Sequence, residues 1–292
     1  GLVGYWDVGV PPSGAMDMWS FRAGNRVLGN AEGAPGIELT LRGGKYLFRG
    51  EMVFCVAGAD MRAELDGVSI PLYTATKAKA GQVLSFGECQ TGMRAYLLVK
   101  GGLDVPDILG SASTFTLGVF GGCNGRTLRT GDLLSVKEAE ANGMPAPCQV
   151  EQPLPHTWTL GVAAGPHCTT EFLKAGFLER LADVEWEVHF NSSRTGVRLI
   201  GPAPDWTRPD GGEAGLHPSN IHDTPYALGA LDMTGDMPIL LGPDGPSLGG
   251  FVCPVTVATA ELWKVGQLHP GDKVKFQLIT PEEAEQMRGE QE

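Results

Sequence analysis

The segment LHPGDKVKF (268–276) combines a turn with an alternating apolar run. Related stretches occur twice earlier in the chain, as KAGQVLSF (79–86) and LRTGDLLSV (128–136). In each of them a glycine is followed by Gln or Asp and then by an alternating apolar run. This pattern is typical of a turn that leads into a half-buried strand. Three copies of one turn–strand unit predict a mainly β fold.

The rest of the chain supports that prediction. Further short runs are rich in β-branched and aromatic residues and are bounded by turn formers, namely EMVFCVAGA, AYLLVKGG, VEWEVHF, MPILLG and VTVATAELW. The 42 glycines and 21 prolines suit many tight turns and few long helices. Helical spacing of apolar residues occurs in two places, and it predicts helices over 16–30 and 169–184.

The domain organisation follows from a charged and Pro-rich stretch near the middle of the chain. We expect an N-terminal β-barrel half over 1–140, a linker over 141–156 and a C-terminal β-barrel half over 157–280. The remaining residues, 281–292, form a polar tail that we expect to fray. The start at Gly1, without Met or a signal segment, predicts a processed product or a piece of a longer polypeptide.

The composition is that of a globular chain and limits its partners. Of the 292 residues, 42% are hydrophobic and 19% are charged, and the formal charge is −12. That charge disfavours nucleic acids and anionic membranes, which need clustered Lys and Arg. No apolar run reaches the ~18–20 residues of a membrane span. None of the six cysteines has CxxC spacing, which predicts reduced thiols, no zinc motif and a cytoplasmic location.

A loop dense in glycine and proline, GPDGPSLGGF (242–251), precedes an apolar run. Gly249 and Gly250 permit close backbone approach, so their N–H groups are candidates for binding an anion. Asp244 and Ser247 are candidates for contacting the same ligand. The loop lacks the GxxxxGK[ST] and GxGxxG patterns, which disfavours nucleotides. It also lacks the GxSxG elbow of a hydrolase nucleophile.

Two other segments concentrate polar side chains. In HFNSSRTGVRL (189–199), Arg194 is a candidate for holding a carboxylate or a urea-like planar group, and an ordinary surface strand is the alternative. In 217–236, a polar loop feeding a strand, the ligand-facing candidates are Asn220, His222, Asp223 and Tyr226. The spacing of its histidines does not fit a metal motif, so we predict no metal.

The segment DVGVPPSGAMD (7–17) offers one further candidate site. Ser13 and Asp17 are either ligands to a polar substrate or parts of a rigid loop in which Asp17 caps the following helix. The sequence leaves both interpretations open.

Four segments resemble the allophanate hydrolase subunit 2 family: GYWDVGVPPSGAMD (4–17), GNAEGAPGIELTL (29–41), SNIHDTPYALGALDMTGDMPILLGPDGPSLGGF (219–251) and ELWKVGQLHPGDKVKF (261–276). The family includes the carboxyltransferase part of biotin-dependent urea carboxylase and a subunit of bacterial 5-oxoprolinase. The forms NIHDTPYALGALD and LGPDGPSLGGF look closest to the urea carboxylase members.

This resemblance implies a cyclophilin-like β-barrel fold and transfer of CO₂ from carboxybiotin to urea or a similar small amide or guanidine. It implies partners: a subunit 1-like domain, a biotin carrier domain and a biotin carboxylase domain that uses ATP. On this interpretation the polar loops bind the substrate, while Ser247 and the glycine pair stabilise the ureido anion of biotin.

Two alternative functions remain open. One is a subunit of an ATP-dependent 5-oxoprolinase, which opens a lactam without biotin. The other is non-enzymatic, a binding partner that regulates a kinase.

Overall fold

The computed structural model describes residues 1–138, 153–208 and 211–291, and these divide into two compact units. The N-terminal unit comprises the described residues of Gly1–Leu2 and Ser13–Pro155, and the C-terminal unit comprises those of Val3–Pro12 and His156–Glu292. Most of the predicted linker, 141–156, lies outside the described residues.

The N-terminal unit is built from one α-helix and short antiparallel strands. Its elements are α1 (Met18–Val27), β1 (Ile37–Thr40), β2 (Lys45–Leu47), β3 (Met52–Gly58), β4 (Glu64–Leu65), β5 (Val68–Ser69), β6 (Thr76–Ala78), β7 (Val83–Ser85), β8 (Arg94–Val99), β9 (Leu103–Asp104) and β10 (Ser135–Val136). Two four-stranded sheets have the orders β1-β8-β3-β6 and β2-β7-β4-β5, and β9 pairs with β10.

Strand β3 explains why the run MVFCVAG is apolar at almost every position. Phe54 and Val56 belong to one buried cluster, whereas Cys55 and Ala57 belong to a second cluster together with residues of α1. Successive side chains of a strand point to opposite faces, so a strand covered on both faces reads as a continuous apolar run. Helix α1 lies close to this sheet, because a Cβ on Gly24 would stand 2.5 Å from Leu98 Cδ1.

The C-terminal unit is formed around one seven-stranded sheet. Its elements are β11 (Thr157–Ala164), α2 (Phe177–Asp183), β12 (Trp186–Val188), β13 (Gly196–Ile200), β14 (Asn220–Pro225), β15 (Leu231–Thr234), β16 (Met237–Leu241), β17 (Leu248–Phe251), β18 (Val255–Val257), α3 (Leu262–Gln267), β19 (Lys273–Leu278) and α4 (Pro281–Gln291). The sheet order is β15-β16-β13-β12-β19-β11-β18. A bridge between Ala230 and Thr256 connects the two ends of this order, so the sheet is nearly closed into a barrel. The predicted mainly β fold is confirmed.

The three repeated turns share one hydrogen-bond pattern. In each, the side chain after the glycine accepts a hydrogen bond from the backbone N–H three residues earlier: Lys79 to Gln82 at 2.8 Å, Arg129 to Asp132 at 2.8 Å and His269 to Asp272 at 3.0 Å. The glycine between them has φ of +89°, +94° and +89° respectively, a conformation that favours glycine. Strands β7, β10 and β19 follow these turns, as the sequence predicts.

Two helix predictions and one strand prediction need correction. Helix α1 is shorter than 16–30, and Asp17 caps it by accepting a hydrogen bond from Ser20 N at 2.9 Å. Within 169–184, only Phe177–Asp183 is α-helical, because Gly176 at φ +75° interrupts the regular backbone. The run VTVATAELW is a strand only over Val255–Val257, and its end enters a 3₁₀ turn and helix α3. No helix in the described ranges is long and apolar enough to cross a membrane.

The predicted fraying tail is instead helix α4. Thr280 N donates to Glu283 Oε2 at 2.7 Å, and Glu283 N donates to Thr280 Oγ1 at 3.1 Å. This reciprocal pair is a capping box, and Pro281 occupies the first helical position, where its missing N–H costs nothing. The sequence Thr-Pro-Glu-Glu at 280–283 is a signal for the start of a helix, but the polar composition of the segment led to the prediction of a frayed tail.

Replacing Thr280 with alanine is expected to loosen helix α4 by about 1 kcal/mol, because the N–H of Glu283 loses its acceptor. Hydrogen exchange should accelerate for the amides of α4 and remain unchanged for those of β19. Equal exchange of the α4 amides in both proteins would contradict the capping role.

Candidate functional site

Half of the segment 217–236, which was predicted to be a polar loop feeding a strand, lies in the strands β14 and β15. Asn220–Pro225 forms β14, which pairs antiparallel with β17. Thr224 lies opposite Gly249 and Asn220 lies opposite Phe251, with an irregularity between these two pairs. The strand was not predicted because β14 has no alternating apolar residues and its partner β17 contains a glycine pair. The pairing brings the two predicted ligand-binding segments together.

The glycine pair has a packing explanation. A Cβ on Gly249 would stand 2.5 Å from the ring of Tyr226, and one on Gly250 would stand 2.7 Å from the carbonyl oxygen of Ile221. Asp223 Oδ1 would lie 3.2 Å from that second Cβ. A carboxylate beside Gly250 is an unfavourable neighbour for an anion. The absence of side chains at Gly249 and Gly250 is therefore explained by packing, and the assignment of their N–H groups to an anion stays a prediction.

Tyr226, one of the predicted ligand contacts, is a buried structural residue. Its hydroxyl accepts a hydrogen bond from Phe251 N at 2.9 Å, and its own N–H donates to the carbonyl of Ser247 at 2.9 Å. Burial, with a smaller contribution from the charge of Asp232, raises the pKa of Tyr226. His222 and Asp223, by contrast, are exposed.

Arg194 and Asp244 bind each other. Arg194 Nε donates to Asp244 Oδ2 at 2.8 Å, and Arg194 Nη2 donates to Oδ1 at 3.1 Å, which is the bidentate geometry of a strong charged pair. The backbones are also joined, because Asp244 N donates to Arg194 O at 3.2 Å and Gly242 N donates to Thr195 O at 3.0 Å. The pair therefore fixes the segment before β13 against the Gly/Pro-rich loop.

A pocket of about 210 Å³ lies beside these joined loops. Its walls come from the segment before and within β13, from strands β15 and β16 and from the Gly/Pro-rich loop: Asn191, Ser193, Thr195, Gly196, Arg198, Asp232, Ile239, Leu241 and Pro246. Arg194, the candidate chosen from the segment 189–199, is not among these lining residues, but Asn191, Ser193 and Arg198 of the same segment are. Arg194 and Asp244 shape the pocket through the loops that they join.

Two opposite charges face this pocket from neighbouring strands. Ile239 of β16 lies opposite Arg198 of β13 on one side and opposite Asp232 of β15 on the other. Directly opposed residues share one face of a sheet, so the three side chains form a row. Two strand spacings of about 4.8 Å place the two charged residues about 10 Å apart. Among the described residues the two charged side chains form no ion pair with each other.

Asp232 is a candidate functional residue that was not predicted from the sequence. It is 5% exposed, and its Oδ1 has no hydrogen-bond partner among the described residues. Burial raises the pKa of its carboxyl to about 7. Buried polar groups are normally hydrogen-bonded, so an unpaired one at a pocket wall is a functional signal. The sequence did contain a hint, because Asp232 interrupts the otherwise apolar run LGALDMT.

Ser13 and Asp17 belong to the N-terminal unit. Asp17 is fully buried and caps α1, which is the structural interpretation left open by the sequence. Ser13 is also buried, at a φ of +52°, and its Oγ has no partner among the described residues. No cluster of three potential metal ligands occurs in the described part of the chain.

Comparison with known proteins yields a consistent picture. A family model for the carboxyltransferase domain, subdomains A and B, matches residues 8–278. The urea amidolyase of Lachancea kluyveri is 47% identical over 304 residues, covering 100% of this chain and 17% of that protein. The crystal structure of the Kluyveromyces lactis urea amidolyase superimposes with a TM-score of 0.91 at 48% identity, covering 100% of this chain and 18% of the other.

A more distant relative has nearly the same length. This protein, a subunit of the 5-oxoprolinase of Haemophilus influenzae, is 30% identical over 298 residues, which covers 100% of this chain and 90% of the relative. The chain thus spans less than a fifth of the urea amidolyases and most of the 5-oxoprolinase subunit.

Proposed function

The chain belongs to the carboxyltransferase A and B domain family, and from this membership we propose that it is the carboxyltransferase component of a urea carboxylase. In this role it moves a carboxyl group to urea or to a similar small amide or guanidine. The identity of 47% to urea amidolyase, against 30% to the 5-oxoprolinase subunit, favours this function.

The observation that carries the proposal is the pocket between Arg198 and Asp232. A volume of about 210 Å³ suits a molecule of a few heavy atoms together with a carboxyl group. A guanidinium at one end and a carboxyl at the other offer a donor and an acceptor to a planar polar ligand. Holding such a ligand in one orientation is a large part of catalysis when the nucleophile, an amide nitrogen, is weak.

The remaining reaction components are proposed to lie on partner domains. The similarity to short segments of large enzymes supports a biotin carrier domain, an ATP-using biotin carboxylase domain and a subunit 1-like domain. Carboxylated biotin, when presented by such a carrier, supplies the carboxyl group. The five described cysteines, all unpaired, support a cytoplasmic location.

The function is tested with the full-length protein that contains this chain. Incorporation of labelled bicarbonate into product is measured with urea, guanidinium or 5-oxoproline, each with and without avidin. Urea-dependent incorporation that avidin blocks is the expected result. ATP-driven hydrolysis of 5-oxoproline that is insensitive to avidin would instead assign the chain to the 5-oxoprolinases, the second candidate, whose subunit from Haemophilus influenzae is 30% identical.

In that assay, Asp244→Asn is expected to lower kcat/KM for the acceptor by about tenfold to a hundredfold. The substitution removes the charged pair with Arg194, and the released loops carry pocket-lining residues, where small displacements of a bound reactant are costly. Asp244→Glu should restore part of the loss, and Asp183→Asn, at the exposed end of α2, serves as the matched control. Unchanged kinetics of Asp244→Asn would show that the pair has no positioning role.

A further inference from the structure

A cluster of three side chains lies next to the start of strand β14, and none of the three lines the pocket. His217 Nε2 lies 3.4 Å from Asp236 Oδ1, which also accepts a hydrogen bond from Trp206 Nε1 at 2.9 Å. The rings of Trp206 and His217 meet edge to face, with 5.6 Å between their centroids. Asp236 stands in the turn between β15 and β16, so the cluster joins three segments of the C-terminal unit.

The other ring nitrogen of His217 binds Ser219, the residue before β14. Ser219 N donates to His217 Nδ1 at 3.2 Å, and Ser219 Oγ lies 3.0 Å from the same nitrogen. Ser219 Oγ accepts from Gly235 N at 3.2 Å, and the carbonyl of Ser219 accepts from Val252 N at 2.9 Å. Ser219 is 0% exposed. A fully buried hydroxyl cannot reach a substrate, so this row of Ser, His and Asp is not a hydrolase triad.

The nitrogen that binds Ser219 is an acceptor only while the ring of His217 is neutral. Because Nδ1 accepts the Ser219 N–H, the neutral ring carries its proton on Nε2, beside Asp236. We propose that His217 is a positioning residue for carboxyl transfer: the neutral ring fixes Ser219 and with it Asn220, and protonation of Nδ1 releases both. This inference rests on the proposed function and on the prediction that Asn220 contacts the ligand.

Protonation of His217 removes a buried hydrogen bond. A protonated Nδ1 is a donor, so the Ser219 N–H loses its acceptor, and burial keeps water from replacing it. Asn220 N donates to the carbonyl of His217 at 2.8 Å, and Asn220 lies opposite Phe251 in the pairing of β14 with β17. A shift of Ser219 therefore moves Asn220. Small displacements of a group that holds a reactant are costly for the rate.

Carboxyl transfer is expected to weaken as the pH decreases. In the described part of the chain, Asp236 is the charged group that faces the His217 ring. The other segments packed against the ring contribute Trp206 and Ser219, which are uncharged. The side chain of His217 is 37% exposed, so solvent can deliver the proton. Histidine changes charge between about pH 5 and about pH 8, which sets the range to be measured.

The kinetic test uses the full-length protein and the labelled-bicarbonate assay, with kcat/KM for urea measured from about pH 5.5 to about pH 8.5. His217→Asn keeps an acceptor close to the position of Nδ1 but does not ionise. It should match the unmodified enzyme within about threefold at about pH 8 and exceed it about fivefold at about pH 6. His217→Leu lacks the acceptor and should raise the KM for urea about tenfold at both pH values.

Two comparisons isolate the effect of His217. Asp232, with a pKa of about 7, ionises in the same range in every variant, so the ratio of the kcat/KM values of two variants removes its contribution. His269→Asn is the matched control, because the ring of His269 contacts the carbonyl of Pro270 in the turn before β19. Its pH profile should follow that of the unmodified enzyme. A gain of activity in acid cannot come from a misfolded variant.

Long-range ¹H–¹⁵N NMR of the chain supplies a readout that does not depend on catalysis. At about pH 8, Nδ1 of His217 should be unprotonated and Nε2 protonated. The amide signals of Ser219, Asn220 and Gly235 should move as His217 is protonated, and His217→Asn should abolish that movement.

Two results would overturn the inference: a proton on Nδ1 of His217 at about pH 8, or an unchanged pH profile in His217→Asn. If urea is carboxylated and that profile is unchanged, the proposed function stands and the positioning role fails. If the amide signals titrate as expected but no acceptor is carboxylated, the link between His217 and β14 stands and the proposed function fails.

Discussion

Replacing Asp272 with alanine is expected to destabilise the C-terminal unit by about 3 kcal/mol. Asp272 is 2% exposed, and its Oδ2 accepts from Trp158 Nε1 at 2.9 Å and from His269 N at 3.0 Å. Its Oδ1 lies 2.9 Å from His156 Nδ1. The carboxylate thus joins the first residues of β11 to the turn that begins β19, and these two strands form a parallel pair of the barrel.

The physical reason for the large effect is the set of donors left behind. Alanine would leave the buried indole N–H of Trp158 without an acceptor and would open the turn at His269. Asp272→Asn keeps one oxygen and should cost about half as much. Asp132→Ala, at the equivalent turn of the N-terminal unit, removes a more exposed pair with Arg126 and should have a smaller effect. Thermal unfolding followed by circular dichroism measures all three variants. Equal losses for Asp272→Ala and Asp132→Ala would contradict the explanation by burial.

Asp232→Asn is expected to stabilise the protein at alkaline pH and to have little effect at acidic pH. The carboxyl of Asp232 has a pKa of about 7, raised by burial from 3.8. Below pH 3.8 the group is protonated in both the folded and the unfolded chain and contributes nothing. Between pH 3.8 and about pH 7 the unfolded chain releases the proton of Asp232 whereas the folded chain keeps it, so the stability of the fold decreases as the pH rises.

Above the folded pKa the full penalty is present. The shift from 3.8 to about 7 corresponds to about 4 kcal/mol as an upper bound. Asparagine does not ionise, so the variant escapes the penalty. Its melting temperature relative to the unmodified chain should therefore increase between about pH 4.5 and about pH 8.5. A difference in melting temperature that is constant with pH would show that the Asp232 carboxyl titrates normally. Asp183→Asn provides the control, since that residue is exposed at the end of α2.

The cost of burying Asp232 is consistent with a functional role for this residue. Functional groups are often held in environments that destabilise the folded chain, because the same burial that raises a pKa strengthens contacts to a ligand. An aspartate in an apolar strand is unfavourable for folding alone. It becomes favourable when a ligand supplies the missing donor.

Much of the fold was determined by short-range sequence signals. The Gly-Asp and Gly-Gln turns predicted strands β7, β10 and β19, because a positive φ and a short acceptor side chain close a turn within four residues. The apolar runs around Cys55 and Cys253 predicted core segments, because a run of apolar residues indicates burial by its composition alone. The family resemblance rested on such local motifs.

The candidate site was not determined in this way. Arg194 and Asp244 are 50 residues apart in sequence, and only the folded chain shows that each satisfies the other. The glycine pair was interpreted as an anion site, and only the folded chain shows that Tyr226 and Asp223 occupy the positions next to it. Strand β14 escaped prediction because its pairing with β17, rather than its own pattern, makes it a strand.

The sequence by itself therefore determined the mainly β class, the turns, the buried runs and the family, all of which depend on residues that are near neighbours in the chain. The tertiary structure alone decided which polar side chains share a pocket. Arg198, Ile239 and Asp232 form a row only because strands β13, β16 and β15 pair in one register. Register depends on contacts across the whole barrel, and no local pattern contains that information.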